Sequence, residues 1–440
     1  MAAIHKTVAT ERPESLRPRI FVAAAALFFF VAVLKFGYPI VLESLITPPE
    51  NASAAIFESW QIELGYLLMG PLIVAGLFAV PWKGLKFRWP LLLPAIWLGW
   101  QFIAAAYSIS PRLSGMTVQH FAACVILFYL GCFAMKEARN PWLLWTALAL
   151  ALCWIIHIGF EQHFGGLEAT RKMILNANPG AAPLDPAYLA RVSGGRVFST
   201  FSNPDALAGG LELLLPISLV FLWQITPKVH PVMRWAFVII LGGCGLACLY
   251  WSRSKAGWLV ALVAGMIVLG YSNLSANWKR GLIWGVLILG LAGFGIRNAA
   301  FFHKEKNSVG ARFTYWRAAI QIAREHPVTG TGPGTFGASY AKIKQPNDEM
   351  ARLCHNDYLE QACDSGFLGF LAYLTMFVWV LIGLYRYRIR EKLIGYDIHF
   401  AIGLGLLCLC LHSLVDYHLY MPALAWPMFF LMGYSIKFKD

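Results

Sequence analysis

Four groups of polar residues combine chemically capable side chains with suggestive spacing in an otherwise apolar chain. In Ser252-Arg253-Ser254-Lys255-Ala256-Gly257, two cations stand where an apolar helix begins. Cations at a helix N-terminus oppose its dipole, which favours an anionic partner; long side chains reaching lipid phosphates are the plain alternative. Arg312 opens a stretch in which Phe313, Trp316, Ala319, Ile320 and Ala323 recur at helical spacing, and at about 100° per residue it falls near the centre of that stripe. A guanidinium there must meet a carboxylate, a phosphate or a polar cavity mouth, because burying it alone is costly. Pairing with an Asp or Glu and binding a functional anion are both open.

The third group is Cys354-His355-Asn356-Asp357-Tyr358-Leu359-Glu360. Asp357 and Glu360 form an Asp-x-x-Glu capping pattern, so a short helix is expected from there to just before Gly366. His355 then stands immediately outside its N-terminus, where the dipole disfavours imidazolium and keeps a neutral ring available as a proton acceptor. A surface histidine with no chemical role is the plain reading. The fourth group, Gly194-Gly195-Arg196-Val197-Phe198-Ser199-Thr200-Phe201-Ser202-Asn203-Pro204, ends in a helix start with Asn203 as cap and Pro204 at the first position. Capping accounts for that pair, and Arg196 is kept as an anion-binding candidate. Asp416, in a turn before the last span, can orient a histidine, bind sugar hydroxyls or cap a helix.

Other signals carry less. His157, Glu161 and His163 complete no metal-ligand set, and no metal ligand is assigned. Gly330-Thr331-Gly332-Pro333-Gly334 forces turns but lacks the Lys-Ser/Thr of a phosphate-binding loop. A helix between Cys354 and Cys363 would hold them about 13 Å apart, too far for a disulfide.

The elements that must position these groups are set by lipid. Of 440 residues, 58% are hydrophobic and only 13% charged, well below the charged quarter of a soluble domain. Runs of about 20 apolar residues, the length that crosses a bilayer, recur along the chain. The expected fold is an all-α polytopic membrane protein with about twelve transmembrane helices. They start near Ile20, Gln61, Leu91, Met116, Trp142, Asp205, Val232, Lys255, Leu282, Phe367, Ile398 and Leu419; the first can extend through Gly37 and Pro39.

The formal charge of +13 does not indicate nucleic acid, because the cations alternate between connections as the positive-inside rule requires. Lys6, Arg12, Arg17 and Arg19 crowd the N-terminal tail. Lys83/Lys86/Arg88, Lys136/Arg139, Lys228/Arg234, Lys279/Arg280, Arg386/Arg388/Arg390/Lys392 and Lys437/Lys439 occupy every second connection thereafter. Both termini are therefore expected in the cytoplasm, with no cleaved signal peptide. The organisation reads as a cytoplasmic tail (1–19), N-terminal spans (20–158), an external loop (159–204), central spans (205–296), a long, partly helical external loop (297–365), and C-terminal spans with a short tail (366–440). Few ionisable residues lie within spans, Glu212, His157 and His412 among them, whereas transporters bury such groups near the midplane.

These residues resemble a family. His355-Asn356, with Gly366 ten residues after the Asn and Gly369 three further on, fits the His-Asn-x9-Gly-x2-Gly pattern of the bacterial O-antigen ligase and polymerase superfamily. Arg253 and Gly257 fit its Arg-x3-Gly at the outer end of a span. Gly310-Ala311-Arg312 with Trp316, then Pro327 and Gly330 to Phe336, are similar to its arginine helix and glycine turn, and Phe198 to Leu211 to its lead into the central spans. The resemblance runs from about Arg196 to the last span; the first five spans agree only in hydropathy.

It implies a GT-C-type membrane glycosyltransferase of the bacterial inner membrane, independent of metal and cofactor. The enzyme would move a glycan from an undecaprenyl-diphosphate carrier at the periplasmic face. His355 would be catalytic, with Arg253 and Arg312 the essential arginines. In physical terms, His355 would deprotonate an acceptor hydroxyl that attacks the anomeric carbon with inversion. The arginines, helped by Lys255 and Arg196, would hold the diphosphate. Asn356 and Asp416 are further candidates for substrate contact. The acceptor is open: lipid A-core for a ligase, the growing glycan for a polymerase, or a protein. A transporter or flippase for lipid-linked sugars and a non-catalytic scaffold are the rivals from other classes.

Overall fold

In the computed structural model, residues 15–83, 88–176, 192–227, 229–302, 308–390 and 397–436 are described. Lys6, Arg12, Lys86, Lys228, Lys392, Lys437 and Lys439 of the charge pattern lie outside the described residues, as do residues 177–191 of the first long loop. Among the described residues the chain is helical without a strand. The order is α1 (Leu16–Lys35), α2 (Ala52–Phe57), α3 (Ile62–Ala79), α4 (Leu93–Ala106), α5 (Pro111–Tyr129), α6 (Trp142–Glu161), α7 (Leu167–Asn176) and α8 (Pro204–Ile225). There follow α9 (Pro231–Ser252), α10 (Lys255–Tyr271), α11 (Ala276–Phe302), α12 (Ser308–Glu325), α13 (Phe336–Ile343), α14 (Asp357–Arg390), α15 (Ile398–His412) and α16 (Pro422–Ser435).

Each of the twelve expected spans corresponds to an apolar helix. By length and composition, nine helical stretches among the described residues can cross a membrane; α10 and α15 are apolar but shorter. The chain is a polytopic helical membrane protein. The first span does not run on through Gly37: α1 stops at Lys35, and a 3-10 turn, Ile40–Leu45, follows.

Local chemistry sets many of the boundaries. Asn203 accepts the Ala206 N–H at 2.8 Å, Ser254 the Gly257 N–H at 3.2 Å and Asp397 the Phe400 N–H at 2.7 Å, so α8, α10 and α15 each start on a side-chain cap. The central helix is α16. It is apolar all round, and every residue from Pro422 to Ser435 is buried, as expected of a helix with no lipid-facing side. It packs against α1, α5, α8, α14 and α15. Gly433 lets it lie directly on the α5 backbone, since a Cβ there would collide with the Phe128 carbonyl.

Two structural departures from the sequence reading bear on the site. The long loop after α11 is more structured than expected, with α13 as well as α12. The buried face of α12 is also rotated: Tyr315, Ala318, Ala319 and Ile322 point inward, while Phe313 and Ile320 are exposed. Arg317, Gln321 and Arg324 do face outward. The helix capped by Asn356 continues through a break at Ser365 and Gly366 into the span that ends at Arg390.

Candidate functional site

One end of the bundle gathers the polar groups, where α8, α10 and α14 begin, α9 and α15 finish, and α12 lies across α14. His355 stands one residue before Asn356, which caps α14 by accepting the Tyr358 and Leu359 N–H groups at 3.0 Å each. Asn356 also donates to the Leu414 carbonyl at 2.8 Å, so its side chain is committed to joining α14 to the turn after α15. Glu360 accepts the Cys354 N–H, closing the turn that presents His355.

The His355 ring lies beside Tyr417, 4.6 Å between centroids, and over Tyr315 at 6.0 Å. Its Nδ1 is 3.0 Å from Oδ1 of Asp416, a carboxylate with no solvent exposure. If Nδ1 carries the proton and donates to Asp416, the Nε2 lone pair is left to accept one. Burial pushes the Asp416 carboxyl up, but the hydrogen bond and charge of His355, with the charge of His418, hold it below the usual carboxylate range. The adjacent Cys354 is fully buried, and burial and the nearby Glu360 raise its thiol well above the ordinary value, which disfavours the thiolate.

Arg312 is tied to this histidine through its own helix. One turn beyond it, Trp316 Nε1 donates to the His355 carbonyl at 3.2 Å. Arg312 itself donates to Asp205 Oδ2 at 3.0 Å, and Arg196 donates to Asp205 Oδ1 at 3.1 Å and to the Ser252 carbonyl at 2.8 Å. Burial works against the Arg312 charge, but Asp205 and Asp416 outweigh it and keep the guanidinium above the ordinary arginine value. Its Nε is buried without a hydrogen-bond partner. Lys255, half-buried at the start of α10, feels the charges of Arg196, Asp205 and Arg312. The result is three cations around one carboxylate, an excess of positive charge that suits a polyanion.

Arg253 sits differently. Its backbone is left-handed (φ 53°) at the end of α9 and its side chain is exposed, next in sequence to the Ser252 carbonyl that binds Arg196. His355 is left-handed too, at φ 56°. Such backbone strain in non-glycine residues is uncommon and concentrates where a side chain must be aimed.

The glycine turn braces the site. Gly330, Gly332 and Gly334 all have positive φ, and the Gly334 N–H donates to Asp364 at 2.6 Å while the Gly332 N–H donates to the Asp364 carbonyl at 2.8 Å. Tyr420, just before α16, donates to the same Asp364 carboxylate at 2.8 Å. Gly366 (φ 68°) completes the joint by lying against the Val328 carbonyl.

Residues 240–374 match the family model described as O-Antigen ligase. This segment is similar to the O-antigen ligase family, and the match supports the O-antigen ligase and polymerase superfamily. No curated protein matches the chain. The match takes in Arg253, Lys255, Arg312, the glycine turn and His355; Arg196, Asp205 and Asp416 lie outside it and join the superfamily segment through contacts.

Of the residues nominated from sequence, the structure brings Arg196, Lys255 and Arg312 together and sets Asp416 against His355. Among the described residues, no hydrogen bond or ion pair joins the Arg253 side chain to that cluster. Asp205 is the residue sequence reasoning missed. It was read only as the start of a span, although an acidic residue directly after a capped Asn-Pro and near a lone Arg196 was the available signal. Tyr315, Tyr417 and Trp316 were also not singled out as neighbours of the histidine. His163 stacks on Trp251 at 3.9 Å and belongs to no ligand grouping among the described residues.

Proposed function

We propose that this protein is an O-antigen ligase-like glycosyltransferase. It takes a glycan from an undecaprenyl-diphosphate carrier and passes it to an acceptor hydroxyl, on lipid A-core or a similar glycan, at the periplasmic face of the inner membrane. One observation carries the reading: a histidine held by a buried carboxylate stands beside a partly buried arginine cluster, and Trp316 links the two.

In the proposed step the acceptor O–H gives its proton to His355 Nε2 while its oxygen attacks the anomeric carbon from the face opposite the diphosphate. The bond from that carbon to the phosphate oxygen breaks with inversion. The electron pair leaves on the diphosphate, where Arg312, Arg196 and Lys255, with Arg253 at the rim, stabilise the growing charge. Asp416 steadies the imidazolium as it forms. Guanidinium groups thereby supply at the diphosphate the charge that other transferases take from a divalent cation. An apolar cavity of about 580 Å³, lined by Leu211, Leu215, Leu249, Phe400 and Leu404, suits part of the carrier's isoprenoid tail.

Mass spectrometry of envelope glycans from cells carrying wild type or His355→Ala tests this. The expected result is loss of the capped acceptor in the variant, with lipid-linked donor accumulating. A shortened polymer instead of an uncapped core would identify a polymerase of the same superfamily. If purified protein in liposomes moved lipid-linked glycan between leaflets, and His355→Ala left that unchanged, a flippase would replace the transferase.

A further inference from the structure

Directly behind the His355–Asp416 pair, the structure places a set of side chains that proton transfer does not require. His412, at the end of α15, Asp416 and His418 are fully buried, and one donor atom of each lies within 4.8 Å of the others. In each residue one polar atom is bound and the other is not. His412 Nδ1 lies 3.0 and 3.1 Å from the two oxygens of Glu212, so its Nε2 faces away with no partner. His418 Nδ1 is 3.2 Å from the Ser413 hydroxyl, and its Nε2 makes no hydrogen bond of good geometry, although the Asp205 backbone carbonyl lies near this ring. Asp416 gives Oδ1 to His355 and leaves Oδ2 unpartnered, 3.9 Å from His418 Nε2.

Buried polar atoms without partners are rare in native proteins and ask for an explanation. Here there are three of them, grouped, and all three are metal-ligand atoms. We infer that His412 Nε2, His418 Nε2 and Asp416 Oδ2 bind a zinc-type divalent cation. Two imidazoles and a carboxylate are a known donor set for zinc, and each donor already has the outer partner that fixes a ligand's orientation: Glu212, Ser413 and His355. The Glu212–His412 pair is the carboxylate–histidine arrangement that leaves the far nitrogen unprotonated for a metal. The charge also balances, since a dication neutralises the two buried carboxylates Glu212 and Asp416. Tetrahedral zinc sets its ligands about 3.3 Å apart, so closure from separations of up to 4.8 Å needs a contraction of up to about 1.5 Å. Space for His418 is reserved on α8: a Cβ at Gly209 would sit 2.7 Å from His418 Nε2.

This ion is separate from the diphosphate cluster. It is a structural ion that takes no part in the transfer step. It braces the Asp416 carboxylate beside His355, and that consequence rests on the transferase reading; the binding does not. The test uses the full chain, purified in detergent without chelator, with metal content measured by mass spectrometry beside thermal unfolding. Wild type should carry about one zinc per chain, and apo protein reloaded with Co2+ should show ligand-field absorption in the visible. His418→Ala and His412→Ala should lose both signals, while His355→Ala, which removes only an outer partner, should still bind the metal, weakened by at most roughly 10–100-fold, even where transfer is abolished. Glu212→Gln preserves all three ligands and should weaken zinc by roughly 10–100-fold. If the ligand variants do not fold, the wild-type stoichiometry and the Co2+ spectrum decide alone. Wild type that neither contains nor takes up Zn2+ or Co2+ overturns the inference and leaves ordered water, or a His418 proton donated to the Asp205 carbonyl, at these atoms. Unchanged metal content in folded His418→Ala overturns it equally.

Discussion

Arg312 has two possible employments, holding Asp205 and holding the donor's diphosphate, and a double substitution separates them. The pair is 3.0 Å long, with side-chain exposures of 15% and 16%. Removing one partner of a buried pair costs about 3–5 kcal/mol, mostly because the other charge is stranded. Asp205 keeps Arg196 at 3.1 Å, so Arg312→Met should fall at the low end, about 3 kcal/mol. Loss of a donor that stabilises transition-state charge lowers turnover by about 10²–10³-fold, or 2.7–4 kcal/mol of barrier. Pairing Arg312→Met with Asp205→Asn removes both charges of this pair, and stability should recover in part but not fully, because no charge of the pair is left stranded while the partly exposed Arg196 loses its carboxylate. Transfer should stay down. Unfolding is followed in detergent, and transfer by the mobility shift of an acceptor glycan incubated with lipid-linked donor. A double variant that regains wild-type transfer would refute a diphosphate role for Arg312, as would a single variant that loses stability but keeps its rate.

Two further outcomes follow from individual positions. Gly366 has φ 68° and ψ −176°, a region open essentially only to glycine, and its α-carbon lies against the Val328 carbonyl; Gly366→Ala should cost at least about 1–3 kcal/mol and lower the yield of folded protein, and a melting temperature equal to wild type would contradict the brace described for the glycine turn. Glu43 accepts the Ile62 N–H at 2.6 Å, and burial raises its carboxyl to about 7. A raised folded value means the native state holds the proton longer than the unfolded chain, so this stability is present below about pH 4.3 and is lost as pH rises through about 7. Glu43→Gln should flatten the fall in melting temperature between pH 5 and 9; an identical slope in both proteins would remove Glu43 as its source.

What the sequence made legible was local. Asn203 could be placed at a helix start because a cap and its N–H are neighbours in the chain, and Ser254 and Asp397 are caps of the same local kind that the structure adds. The turn through Gly330 to Gly334 and the place of His355 just outside a helix start are likewise short-range consequences of residue type. The membrane fold followed from composition. Pairing across the chain was not legible: Asp205 meets Arg312 and Asp416 meets His355 only because α8, α12, α14 and the turn after α15 converge, and no spacing records that. The α12 stripe shows a subtler failure. Phe313 and Ile320 are more hydrophobic than Ala318, so hydropathy turned the helix toward them, yet small residues are what a close helix contact buries. The pairing of Glu212 with His412 stayed hidden for the same reason as Asp205: each looks like an isolated polar residue in its own span.

The position of α16 ties the assembly of the site to the order of synthesis. Helices α1, α5, α8, α14 and α15 all pack on residues 422–435, which are translated after them. They therefore enter the bilayer without the neighbour they will share. Asp416 and His418 emerge immediately ahead of that neighbour, and Tyr420, which fastens Asp364, is two residues from its start. Closing the middle of the bundle and furnishing the histidine with its carboxylate are thus a single late event, and a nascent chain that has not reached it holds His355 without the partner that aims it.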